Sequence, residues 1–126
     1  MRIQRRDYND ITVVQLQGEL DIDNIEQLRK AVEDVVSCPA NANEGNQNTT
    51  DIVYKTGLVF DMNEVGFIDS KGLEFLLWVR DFCHENSFQF RLAGLDENCR
   101  KIMEITRLES EFTCYSELAE AVKSFA

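Results

Sequence analysis

The amino-acid sequence predicts an α/β fold: a small mixed β-sheet of four to five strands carrying about four α-helices. Three observations lead there. Strand-like and helix-like apolar patterns alternate along the chain, as they do where helices cross over a sheet. Two short apolar runs near the start, Ile3 to Tyr8 and Ile11 to Leu16, are separated by Asn9-Asp10 and read as a hairpin, which makes the sheet mixed. The third is size: 126 residues, 44% hydrophobic and 29% charged, are the content of one domain, expected to span residues 1–126.

After Gly18, the stretch ELDIDNIEQLRKAVEDVV sets Ile25, Leu28, Val32, Val35 and Val36 at helical spacing. Asp23 and Glu26 form an Asp-x-x-Glu capping box, so a helix is expected from about Asn24 to Val36. Residues 37 to 51, SCPANANEGNQNTTD, hold the only Pro and four Asn with almost no large apolar side chain. They predict a flexible loop, an insertion over 37–56, with Ile52 to Tyr54 extending the next strand backwards.

Leu58 to Met62 is a mostly apolar strand with Asp61 at its far end. Val65, Phe67 and Ile68 lead into Asp69-Ser70, and a helix follows to about Glu85. Leu73, Phe75, Leu76, Leu77, Val79, Phe82 and Cys83 cover one broad side of it, while Lys71, Glu74, Asp81 and Glu85 gather on the other, with Trp78 among them. Phe88, Phe90 and Leu92 alternate with Gln89 and Arg91 in a half-buried strand ending at Ala93-Gly94. Asp96 caps a third helix bearing Cys99, Ile102 and Met103; Phe112 to Tyr115 is a brief extended piece; Ser116 caps a terminal helix with Leu118, Ala121, Val122 and Phe125 in register.

Asp plus Glu number 23 against 13 Lys plus Arg, a formal net charge of -10, so long-range electrostatics repel nucleic acid and anionic membrane. The longest run of large apolar residues is Phe75 to Val79, too short for a signal peptide or a membrane span, and a cytoplasmic protein without direct membrane insertion is expected. Cys38, Cys83, Cys99 and Cys114 form no CxxC pair and His84 is the only histidine, so no zinc or redox motif and no cofactor is predicted. Cys83, Cys99 and Cys114 lie in apolar patterns and read as buried; Cys38 sits at a helix end.

Functional groups in open α/β sheets collect beyond the carboxyl ends of the parallel strands. Here that rule joins the Asp61-to-Gly72 region to the turn after the second strand, which holds Glu19, Asp21 and Asp23. Asp69 and Ser70 stand just before a helix, where one of them caps free N–H groups. A serine there is exposed, and a phosphate attached to it would meet backbone donors and the positive end of the helix dipole. No enzyme is predicted: Ser70 lacks a G-x-S-x-G elbow, His84 lies roughly 20 Å away along the same helix, and Gly72 stands alone, without the pattern of a phosphate-binding loop. Asp21, Asp61 and Asp69 at one sheet end offer oxygen ligands for a divalent cation, but such acids read first as caps and solvated charges. Trp78 is either the border of a wide apolar arc or an interface anchor.

GELDIDNIEQLRKAV, LVFDMNEVGFIDSKGLEFLL and FRLAGLDENCRKIMEITRLESEFTCYSELAEAV together resemble the STAS family of bacterial anti-sigma factor antagonists. By that resemblance Ser70 matches the phosphoacceptor, Asp69 the acid before it and Asp21 the acidic residue on the neighbouring turn, with Gly72 and Leu73 completing the motif. It implies a switch in which the unmodified protein binds an anti-sigma factor serine kinase and so releases sigma factor. The phosphorylated protein lets go, and a phosphatase acting on phospho-Ser70 resets it. The partner surface it implies comprises Asp21, Asp23, Asp69, Ser70, Lys71, Gly72, Glu74 and Trp78. Lys71 stands where many members carry a second Ser or Thr, Glu74 where a small residue is frequent, and the loop from Ser37 to Thr56 is longer than usual. Relatives that keep the fold but serve as transporter subunits, including lipid-trafficking ABC systems, or in other signalling assemblies supply the alternative.

Overall fold

A computed structural model describes residues 1–8, 10–37 and 57–125. In chain order they form β1 (Arg2–Tyr8), β2 (Ile11–Leu20), α1 (Ile25–Ser37), β3 (Gly57–Ile68), α2 (Ser70–Glu85), β4 (Gln89–Ala93), α3 (Glu97–Ile105), β5 (Thr113–Tyr115) and α4 (Leu118–Lys123). The five strands make one sheet in the order β1-β2-β3-β4-β5. The first pair is antiparallel and the rest are parallel, so the mixed sheet expected from the sequence is the one observed.

Because the parallel strands step across the sheet in one direction, right-handed crossovers place α1, α2 and α3 on a single face. They enclose the main core, in which Leu16, Leu28, Phe60, Leu76, Leu92 and Met103 are essentially inaccessible to water. Phe60 meets the Phe90 ring edge-on at 5.0 Å, and cutting Phe60 back to alanine would cost about 3–5 kcal/mol. Among the described residues the other face carries only α4, which closes a smaller cluster of Ile11, Val13, Val59, Ala93 and Ala121. Two covered faces explain why Leu58, Val59 and Phe60 are all apolar: successive side chains of β3 enter opposite clusters.

Several expectations change. β3 does not stop near Asp61; it runs 12 residues to Ile68 because β2 continues to Leu20 beside it. Ser116 does not cap α4: the residue before the helix is Glu117, with no side-chain cap, and the helix is held by its apolar side. Cys83 and Cys99 are buried as expected, but Cys114 is exposed, since β5 is a three-residue edge strand. Among the described residues no helix is long and apolar enough to cross a membrane. Cys38, the loop insertion and the backward extension at Ile52 to Tyr54 lie outside the described residues, as does Asn9 of the expected hairpin turn.

Candidate functional site

β2 and β3 end level with each other, Leu20 opposite Ile68, and β3 overshoots β4, which pairs only with Gly57 to Asp61. The paired ends of β2 and β3 therefore project past the rest of the sheet. The last link is Asp69 N–H donating to the Leu20 carbonyl at 3.2 Å. Asp69 is extended (φ -95°, ψ -177°), and its Oδ1 accepts the Gly72 amide at 2.8 Å, so of the two candidates Asp69 and Ser70 it is Asp69 that caps α2.

Gly72 has a packing reason. A Cβ at this position would lie 2.3 Å from the Leu20 carbonyl oxygen and 2.9 Å from the Ile68 side chain. The first turn of α2 can rest on the end of β2 only if residue 72 has no side chain. That contact in turn fixes the direction in which residues 70 and 71 leave the sheet. Ser70 is exposed, and its hydroxyl makes no hydrogen bond among the described residues. Lys71 is also exposed and reaches Glu74 at 3.7 Å, an ion pair worth little in water.

On the neighbouring turn, Asp21 Oδ1 accepts the Asp23 amide at 3.2 Å and the Asn24 side-chain amide at 3.1 Å, while Asn24 also donates to the Glu19 carbonyl at 2.8 Å. Asp21 is thus the brace of this turn. The expected capping box does not form: the Asp23 carboxylate is exposed and makes no hydrogen bond to α1, because the chain must first turn through residues 21–24 after β2.

Asp21, Asp23, Asp69, Ser70, Lys71, Gly72 and Glu74 are gathered at this one sheet end. Trp78 is eight residues further along α2, about 12 Å of helix rise. It is stacked between Phe75 (centroids 5.7 Å apart) and Phe82 (4.8 Å), with the Arg29 guanidinium 4.9 Å from its ring centre. The indole is therefore the half-buried border of the apolar arc. It lines a shallow groove of about 220 Å³ between α1 and α2 that reaches Lys71 and Glu74.

Asp61 does not join the site. It pairs with Gln15 and Ala93 in the middle of the sheet, is 8% exposed, and accepts the Asn63 amide at 3.2 Å. Ile68 is seven positions further along β3, about 23 Å of strand rise. The three-acid cation site thus does not assemble, and among the described residues no cluster of three His, Cys, Asp or Glu suits a metal ion. His84 lies in the last turn of α2, far from Ser70.

Two functional candidates escaped the sequence reading. Ile22 on the Asp21 turn and Phe67 near the end of β3 are 62% and 46% exposed, apolar side chains beside an acidic junction. Strand alternation against buried Ile68 was the available signal for Phe67. Nothing local marks Ile22.

A family model for the STAS domain matches residues 2–121. An anti-sigma factor antagonist from Mycobacterium paratuberculosis superimposes with a TM-score of 0.77 at 22% identity, covering 98% of this chain and 92% of that one. The Bacillus cell fate determinant SpoIIAA in its phosphorylated form gives 0.68 at 18% identity, covering 99% of this chain and 100% of that one. A sulfate transporter family protein from Wolinella succinogenes gives 0.65 at 13% identity, covering 91% of this chain and 84% of that one. At these identities the likeness is one of fold.

Proposed function

We propose that this chain, which belongs to the STAS domain family, is a cytoplasmic anti-sigma factor antagonist: an interaction module that binds an anti-sigma factor serine kinase, frees sigma factor, and is switched off by phosphorylation of Ser70. The observation that carries this reading is the division of labour at the start of α2. Asp69 holds the cap, so the exposed Ser70 hydroxyl is not needed for the fold. The amides of Ser70 and Lys71, in the first turn and without an intrahelical acceptor, are placed to meet an added anion.

A phosphate on Ser70 adds about -1.5 to -2 charges at pH 7. It would stand beside Asp69 and near the Asp21 turn, with Lys71 as the adjacent cation. The domain tolerates this charge because water and the helix end solvate it. A partner closing over Ile22, Phe67 and the helix start removes that water and faces a poorly compensated anion, a cost of about 3–5 kcal/mol. Binding is lost while folding survives. A phosphatase acting on phospho-Ser70 restores the docking form. A basic partner surface suits Asp23, Asp69 and Glu74, and the same acidity disfavours nucleic acid.

Calorimetric titration of wild type, Ser70→Ala and Ser70→Asp against the candidate kinase tests the switch. Ser70→Ala should bind as wild type does and Ser70→Asp should not. Equal affinity for all three would end the electrostatic account. The fold likeness to the Wolinella transporter protein supports a second reading, a non-phosphorylated STAS subunit of a transporter, including the lipid-trafficking ABC type, or of another signalling assembly. Intact mass after incubation with the kinase and ATP separates the two: a single added phosphoryl group on Ser70 belongs to the switch, and an unchanged mass to the subunit.

A further inference from the structure

Asn24 holds the N-cap position of α1 without capping it. It directly precedes Ile25, and its carbonyl accepts the first helical bond, from the Leu28 amide at 3.2 Å. Asparagine is among the best residues for that position, where its side-chain oxygen ordinarily accepts an amide of the first turn. Here the side chain is spent elsewhere. Nδ2 donates to the Glu19 carbonyl at 2.8 Å and to Asp21 Oδ1 at 3.1 Å, and Oδ1 accepts from the Met1 nitrogen at 3.3 Å. Among the described residues α1 has no side-chain cap, whereas α2 and α3 are each capped by an Asp.

What these bonds hold is the turn that carries Ile22. One side of the turn is fixed at its root: the Leu20 carbonyl receives the Asp69 amide at 3.2 Å, which ties the end of β2 to the start of α2. Asn24 fixes the other side by returning to Glu19, one residue before that root, while its own amide donates to the Asp21 carbonyl at 3.0 Å. Ile22, 62% exposed, and Asp23 thus lie between two clamped ends. A cap on α1 would serve the helix directly. The bonds made instead order the backbone around an exposed apolar side chain, and an ordered turn loses less conformational freedom when a partner closes over it.

We propose that Asn24 is a positioning residue for partner docking: it gives up the cap of α1 to hold Ile22 in fixed register with Ser70. This rests on the reading of the Ser70 end as the kinase-binding surface. Two substitutions separate shape from charge. Asn24→Asp keeps the size of the side chain and its capping ability, removes both donations, and sets a carboxylate against Asp21 Oδ1 and the Glu19 carbonyl. Its added negative charge by itself favours a basic partner surface, so lost affinity has to come from the released turn. Asn24→Ser brings no charge and can cap α1, but its side chain is too short to reach Glu19.

The test is calorimetric titration of the kinase used for the Ser70 series with wild type, Asn24→Ser, Asn24→Asp, Ile22→Ala and the double variant Ile22→Ala/Asn24→Ser. Each Asn24 variant should weaken binding about tenfold. Amide exchange should quicken at Asp23 and Asn24, while the amide spectrum of β3 and α2, unchanged, verifies that the variants are folded. Ile22→Ala should also weaken binding, and in its background Asn24→Ser should cost less than about twofold, because the side chain it positions is gone. An Asn24 that only stabilised the fold would show no such coupling. No binding by wild type overturns the docking reading and this inference with it. With wild type bound, undiminished affinity of either Asn24 variant, or additive losses in the Ile22–Asn24 cycle, overturns this inference alone.

Discussion

α2 and α3 begin alike and then diverge. Each is preceded by an extended Asp whose Oδ1 accepts the amide three residues on at 2.8 Å, Asp69 from Gly72 and Asp96 from Cys99. They part at the first and third helical residues. α3 starts with Glu97, a built-in anion for the positive end of its dipole, whereas α2 starts with exposed, neutral Ser70. The third residue of α3 is a cysteine buried under the helix, its thiol donating to the Val65 carbonyl at 3.4 Å. In α2 it is a glycine pressed against the Leu20 carbonyl. The cap is thus a structural constant, and the two helices differ in the residue next to it.

The comparison breaks most visibly in partner binding. Ser70→Asp should reduce affinity for the kinase by a hundredfold or more, in line with about 3 kcal/mol, while Glu97→Gln, the equivalent position of α3, leaves it unchanged; calorimetry reads both. Next comes the third residue. Gly72→Ala drives a Cβ into a backbone oxygen that cannot rotate away and should cost about 2–3 kcal/mol in urea unfolding. Cys99→Ala, which removes a buried thiol without a clash, should cost less.

The caps themselves should be equivalent. Asp69→Ala and Asp96→Ala are each expected to lower stability by about 1 kcal/mol. A loss at Asp69 several times that at Asp96 would show that Asp69 also carries tertiary strain. The smallest effect at neutral pH concerns the thiols. Burial pushes Cys83 and Cys99 up to about 12. A thiol whose folded pKa is raised binds its proton more tightly in the folded state, so its stabilising share is complete below the ordinary thiol range and fades as pH rises toward 12. The urea midpoint should be insensitive to these groups between pH 6 and 8 and fall progressively above pH 9. Iodoacetamide at pH 8 should label exposed Cys114 and spare Cys83 and Cys99.

The contrast also marks how far the sequence could be read. Asp96 was legible as a cap, Asp69 as one of two candidates with Ser70, and α2 was legible from start to finish, because an Asp followed by an apolar stripe of helical period specifies its own geometry within a few residues. The capping box at Asp23 was misread although its letters were right: β2 extends to Leu20, and the turn that must follow is braced by Asp21. Asp61 was misplaced for a similar reason. A carboxylate after four apolar residues looks like a strand end, yet the continuing partner strand carries β3 onward to Ile68. Trp78 was correctly suspected of bordering the apolar arc, but its cover comes partly from Arg29 on another helix.

By itself the sequence determined the alternation of strands and helices, the mixed character of the sheet and a cap by Asp69 or Ser70 at the start of α2. These depend on periodicity and on contacts between residues three or four apart. Only the tertiary structure decided that β3 projects beyond β4, that Gly72 lies on the Leu20 carbonyl, that Ile22 and Phe67 are exposed among the described residues, and that α4 closes the smaller of two clusters. Exposure belongs to no residue alone: it is set by which distant segments arrive to displace water, and that is fixed when the strands register against one another.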